Sequence, residues 1–133
     1  MPTLAEFTLS IRLRRDEESG MIWTMFRFAT VREFRSFRYE IQIEERLDEE
    51  AGTITLKIQG VQAPTNLMPS AGAAVREIGY PGLMGEYRVT LAGARQSGNF
   101  TIAVGTGDIA LVEPPGEGGP IVIIEKGVEI VRA

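Results

Sequence analysis

For most of its length this chain alternates apolar and polar residues one for one, and a period of two belongs to a β-strand with one buried face. Phe7, Leu9, Ile11 and Leu13 are apolar, with Thr8, Ser10, Arg12 and Arg14 between them. This run predicts a strand from Leu4 to Arg14. Tyr39, Ile41 and Ile43 alternate with Arg38, Gln42 and Glu44, and Ile54, Leu56 and Ile58 with Thr53, Thr55, Lys57 and Gln59. These two strands read as a hairpin whose loop exceeds two residues. Tyr87, Val89 and Leu91 begin another face, followed by Phe100, Ile102 and Val104 and then by Ile109 to Val112. Ile22 to Ala29 departs from strict alternation. It carries Trp23, Phe26 and Phe28 and is polar only at Thr24 and Arg27, which predicts an inner strand covered on both sides.

Turn residues separate these runs. Arg15 to Gly20, the acidic stretch ending in Ala51-Gly52, Gly93 to Gly98, and Thr106-Gly107-Asp108 all read as turns. Two segments break the alternation. Ala63 to Gly82 holds Pro64, Pro69, Pro81 and the small residues Ser70-Ala71-Gly72-Ala73-Ala74. It reads as a long connection crossing between sheets, with at most one helical turn capped by Ser70 and running through Glu77. Residues 114–120, Pro-Pro-Gly-Glu-Gly-Gly-Pro, form a flexible connector. Beyond it, Ile121 to Glu125 and Val128 to Val131 flank Lys126-Gly127, which predicts a C-terminal hairpin over 121–131.

Eight or nine short strands with turns between them, and no helical stretch separating them, point to an all-β fold. The expectation is an antiparallel β-sandwich of immunoglobulin-like or jelly-roll-like architecture, with an eight-stranded β-barrel as the alternative closure. At 133 residues the chain fits one domain spanning 1–133, and roughly two-thirds of its unfolded surface is buried on folding. The predicted core is Phe7, Leu9, Ile11, Ile41, Ile43, Leu56, Ile58, Val89, Leu91, Ile102 and Val104, each on the apolar side of an alternating run.

The chain has no cysteine and no histidine. That excludes disulfides, thiol nucleophiles, Cys/His zinc sites and histidine general bases. No run reaches the roughly 20 apolar residues of a spanning helix, and the N-terminus lacks the pattern of a signal peptide, so a cytoplasmic setting is expected. A net charge of −4 opposes nucleic-acid binding, whose domains carry a strongly basic face.

Several groups of residues are candidates for contact with other molecules. Arg27, Arg32, Arg35 and Arg38 interleave with Phe26, Phe28, Phe34 and Phe37, and arginine beside aromatics can hold an anion or a partner. Otherwise the arginines stay solvated over buried phenylalanines. Glu40, Glu44, Glu45, Asp48, Glu49 and Glu50 fall within eleven residues but lack calcium-loop spacing, and a solvated hairpin tip is expected. Gly79-Tyr80-Pro81-Gly82 and the glycines at 105–107 match no phosphate-binding motif and read as turns. Leu67, Met68, Tyr80, Leu83 and Met84 form a candidate partner loop, or else plug one end of the sandwich.

The leading expectation is a non-catalytic binding or structural module, without cofactor or metal, for an unknown protein or small ligand. The alternative is a small-molecule or carbohydrate-binding domain that uses Trp23, Tyr80 or Tyr87 as an aromatic platform beside an Arg or Asp. Ile121 to Ile124 is the most β-prone and least charged run, which makes residues 121–131 the candidate contact of a homodimer.

Overall fold

The computed structural model describes residues 7–34, 40–62, 72–93, 97–105, 107–114 and 121–131. These form nine strands in chain order: β1 (Phe7–Asp16), β2 (Ile22–Phe34), β3 (Glu40–Asp48), β4 (Thr53–Gln62), β5 (Gly72–Pro81), β6 (Gly85–Ala92), β7 (Ser97–Val104), β8 (Ile109–Glu113) and β9 (Ile121–Val131). One sheet has the order β5-β2-β1-β9 and the other β3-β4-β6-β7-β8. The two pack face to face as a sandwich, and neither closes into a barrel.

The alternation explains the packing. Leu9, Ile11 and Leu13 of β1 are buried, as are Phe26 and Phe28 of β2. From the facing sheet come Ile54 and Leu56, Val89 and Leu91, and Phe100 and Ile102. Ile41 and Val104 join them, while Ile43 and Ile58 are partly buried against the same cluster. Of the predicted core only the side chain of Phe7 lies outside the described residues.

Most described pairings are antiparallel, but each sheet is mixed. β4 and β6 run parallel, with Leu56 aligned with Leu91. Parallel neighbours need a crossover connection. Here β5 provides it, because the chain leaves the five-stranded sheet after β4, runs through the four-stranded sheet, and returns as β6. A crossing between sheets is therefore present, but its second half is not a loop. The helical turn through Glu77 is also replaced by strand. Ile78 and Tyr80 alternate with Glu77, Gly79 and Pro81 and turn inward. Pro81 is tolerated because β5 is an edge strand, where one side of the backbone needs no partner.

The C-terminal segment is likewise one strand, β9, and not a hairpin. Both of its halves pair with β1 in parallel, Ile124 aligning with Ile11 and Val128 with Leu13. Two residues of β1 thus span four of β9. Lys126-Gly127 sits in an irregularity of one strand rather than in a turn between two.

Candidate functional site

The outward face of the four-stranded sheet is not uniformly polar. Counting from the buried Ile11 and Phe26, the outward positions are Arg12, Arg14 and Asp16 on β1, Trp23, Met25 and Arg27 on β2, and Glu77 and Gly79 on β5. Arg14 lies directly opposite Trp23, and Met25 opposite both Arg12 and Gly79. Arg14, Asp16, Trp23, Met25 and Gly79 together line a hollow of about 340 Å³. That lies at the lower end of ligand-site volumes.

Each wall has a local cause. Gly79 supplies the floor: a Cβ there would stand 2.7 Å from Met25 Sδ and 3.3 Å from Trp23 Cε3. Met25 therefore folds flat over β5 and is almost fully buried although it points outward. Trp23 remains partly exposed beside it. Asp16 closes the β1–β2 turn. Its Oδ1 accepts the Glu18 amide at 3.0 Å and its Oδ2 the Ser19 hydroxyl at 3.1 Å. The Asp16 carbonyl accepts the Gly20 amide at 2.7 Å. Gly20 has φ of 73°, a left-handed conformation that favours glycine. The carboxylate is thus held in one orientation, and each oxygen retains a lone pair.

Charge pairing borders the hollow. Arg12 donates to Glu77 Oε2 at 2.8 Å, Arg14 approaches the same oxygen at 3.8 Å, and Glu125 stands 4.0 Å from Arg12. The lining has an apolar side, Trp23 and Met25, and a polar side with one cation and one carboxylate. It can take a ligand that is flat and apolar on one face and hydrogen-bonding at its rim.

The residues named from sequence are distributed differently. Arg27 is exposed on the same outward face, paired in register with Glu77. The side chain of Arg32, and Arg35 and Arg38 entirely, lie outside the described residues. So do Leu67 and Met68. Tyr80 and Leu83 are buried in the core, which removes them from any partner surface, while Met84 is 59% exposed. Tyr87 is buried too, so of the three platform aromatics only Trp23 is accessible. Gly79 to Pro81 belong to β5 rather than to a turn. Of the acidic run, Asp48 caps its hairpin by accepting the Ala51 amide at 3.1 Å. Among the described residues no three acidic groups converge as metal ligands would.

Tyr80 meets Phe26 edge-on, with ring centroids 5.9 Å apart. Its hydroxyl is buried and lacks a hydrogen-bond partner. Burial, reinforced by the Glu45 carboxylate nearby, pushes its pKa well above the ordinary tyrosine value. The Glu45 carboxylate acts chiefly through its charge. Glu45 is exposed, on the inward register of the edge strand β3, opposite Leu56 and between the half-buried Ile43 and Leu47. Charges placed this way discourage a further strand from pairing with the edge.

No protein-family model, curated protein or solved structure matches this chain significantly. Among the described residues no helix is long and apolar enough to cross a membrane.

Proposed function

We propose that this protein is a non-catalytic binding module that holds a small polar organic molecule, carbohydrates included, against Trp23. The observation that carries the reading is the hollow lined by Arg14, Asp16, Trp23, Met25 and Gly79. Outward strand positions default to solvated polar residues, so a partly exposed indole beside a concavity and an oriented carboxylate on that face supports a ligand site. The absence of histidine and cysteine from the sequence supports binding rather than catalysis.

A thermal-shift screen of a small-molecule library against the full chain tests this. A ligand that binds only the folded state raises the melting temperature. Hits should stabilise the wild-type protein and fail to stabilise Trp23→Ala at the same concentration. Hits that stabilise both equally would place binding elsewhere.

A second reading concerns self-association, and Ile123 favours it. This residue is 48% exposed on β9, an eleven-residue edge strand. A long apolar edge is a template for pairing with another strand. We read it as the contact of a C₂ homodimer, the commonest closed assembly.

A further inference from the structure

We propose that the hollow takes a single uncharged, hydroxyl-bearing ring, a neutral sugar unit, and that Gly79 sets how deeply the ring sits. This rests on the reading of the hollow as a ligand site and narrows it to one chemistry.

Charge balance comes first. Arg14 and Asp16 stand two residues apart on the same face of β1, with Cα atoms roughly 7 Å apart. That separation is comparable with one six-membered ring and its hydroxyls. An anionic ligand drawn to Arg14 meets the Asp16 carboxylate, and a cation drawn to Asp16 meets the Arg14 guanidinium. Arg14 also faces Glu77 at 3.8 Å, which offsets part of its charge. A hydroxyl both donates and accepts, so a ring bearing several can serve Asp16 and Arg14 together without adding charge.

Orientation comes second. The Glu18 amide and the Ser19 hydroxyl each hold one oxygen of Asp16, at 3.0 Å and 3.1 Å. Their remaining lone pairs are therefore fixed before any ligand arrives. Preorganisation of this kind reduces the ordering cost of binding. Neighbouring ring hydroxyls match a carboxylate with two fixed acceptors.

The apolar wall comes third. Trp23 and Met25 offer a flat π surface and a polarisable thioether. A sugar ring has an apolar C–H face to set on them. Gly79 governs this wall. Any side chain there would push into Met25 Sδ at 2.7 Å and Trp23 Cε3 at 3.3 Å. Its φ is not left-handed, so alanine is conformationally acceptable there. The displaced group is a flexible thioether. Gly79→Ala therefore remodels the hollow without breaking the sheet.

The chain contains one tryptophan, so its indole N–H gives one assignable NMR signal. The full-length ¹⁵N-labelled protein is titrated with neutral methyl glycosides of glucose, galactose, mannose and xylose. Glucuronate, glucose 6-phosphate and glucosamine serve as charged counterparts. At least one neutral glycoside should shift the indole signal to saturation, and bind about fivefold or more tightly than any charged counterpart. Asp16→Asn should narrow the gap to glucuronate. Gly79→Ala should weaken the neutral glycoside about fivefold or more while the melting temperature holds. Equal or tighter binding of a charged sugar overturns the inference. So does an indole that answers to non-sugar library compounds but to no glycoside, which leaves the hollow a ligand site and removes the sugar. An indole that answers to nothing removes both.

Discussion

Arg12 and Glu77 lie on strands that are not neighbours, yet their side chains meet at 2.8 Å. β2 runs between them, and Met25 is the β2 residue directly opposite Arg12. The Arg12 side chain, 15% exposed, must therefore cross the outward face of β2 beside Met25 to reach β5. Its methylene stem covers apolar surface while its guanidinium pairs beyond, a common use of arginine. This bridge lies beside Met25, one wall of the hollow, and adds to the cover that packing over Gly79 gives this outward-facing methionine.

The bridge predicts an asymmetry between its two ends. Glu77→Gln removes only a partly exposed ion pair and should cost under about 1 kcal/mol. Arg12→Ala also uncovers Met25 and should cost about 1–2 kcal/mol. Urea unfolding of both variants measures the difference. Equal losses would mean that Arg12 contributes charge alone.

Leu91 is 2% exposed in the centre of the five-stranded sheet, aligned with the buried Leu56. Leu91→Ala leaves a cavity there and should destabilise by about 2–5 kcal/mol. A loss under about 0.5 kcal/mol, the range of surface substitutions, would contradict the register of β4 and β6.

Tyr80 predicts a response to alkaline pH. Its folded-state pKa is raised above the ordinary value of 10.0 by burial and by the charge of Glu45. A raised pKa means that the fold favours the neutral phenol. The contribution is fully present below the unfolded pKa of about 10 and is lost as pH rises past it, because only the unfolded chain then gives up the proton readily. Stability should therefore fall above about pH 10, and more shallowly in Tyr80→Phe. At neutral pH the same variant should be nearly neutral or slightly stabilising, since the buried hydroxyl it removes has no partner. Guanidinium unfolding at a neutral and an alkaline pH reads both effects. A loss above about 1.5 kcal/mol at neutral pH would show that the hydroxyl is hydrogen-bonded.

Association through β9 predicts a dimer that weakens with Ile123→Lys, because a lysine on an edge strand opposes pairing. Truncation of the segment is a poor test, since Val122 and Ile124 pack against the core. Sedimentation equilibrium of the wild type and the variant measures the effect. A wild type that stays monomeric at high micromolar concentration removes the dimer, and a variant that dimerises unchanged moves its interface elsewhere.

The inner faces of the sandwich are readable in the sequence, because a shift of one residue would carry Leu9, Ile11 and Leu13 from core to solvent together. β5 is harder to see. Alanines, Gly79 and Pro81 all have low strand propensity and obscure the run. Ile78 and Tyr80, spaced by two, are the surviving signal. β9 is misread for a related reason: a glycine inside an apolar run marks an irregularity as readily as a turn. Glu45 holds an inward position that alternation alone would give to an apolar residue. The hollow is least legible of all. Trp23 stands out as the sole tryptophan, but Arg14, Asp16, Met25 and Gly79 come from three strands, and only the pairing of β1 and β5 on either side of β2 unites them. Asp16 reads from sequence as part of a turn but is the last residue of β1, and its place at the rim of the hollow follows only from the fold.

The most direct test of the account is the Trp23 indole N–H signal, followed while the compounds that stabilise the folded full-length protein are added one at a time. The indole signal should move with each of them, together with the backbone amides of Asp16 and Gly79 on the strands either side. Compounds that bind but shift residues of the opposite sheet, β6 to β8, and leave the indole where it stands would contradict it.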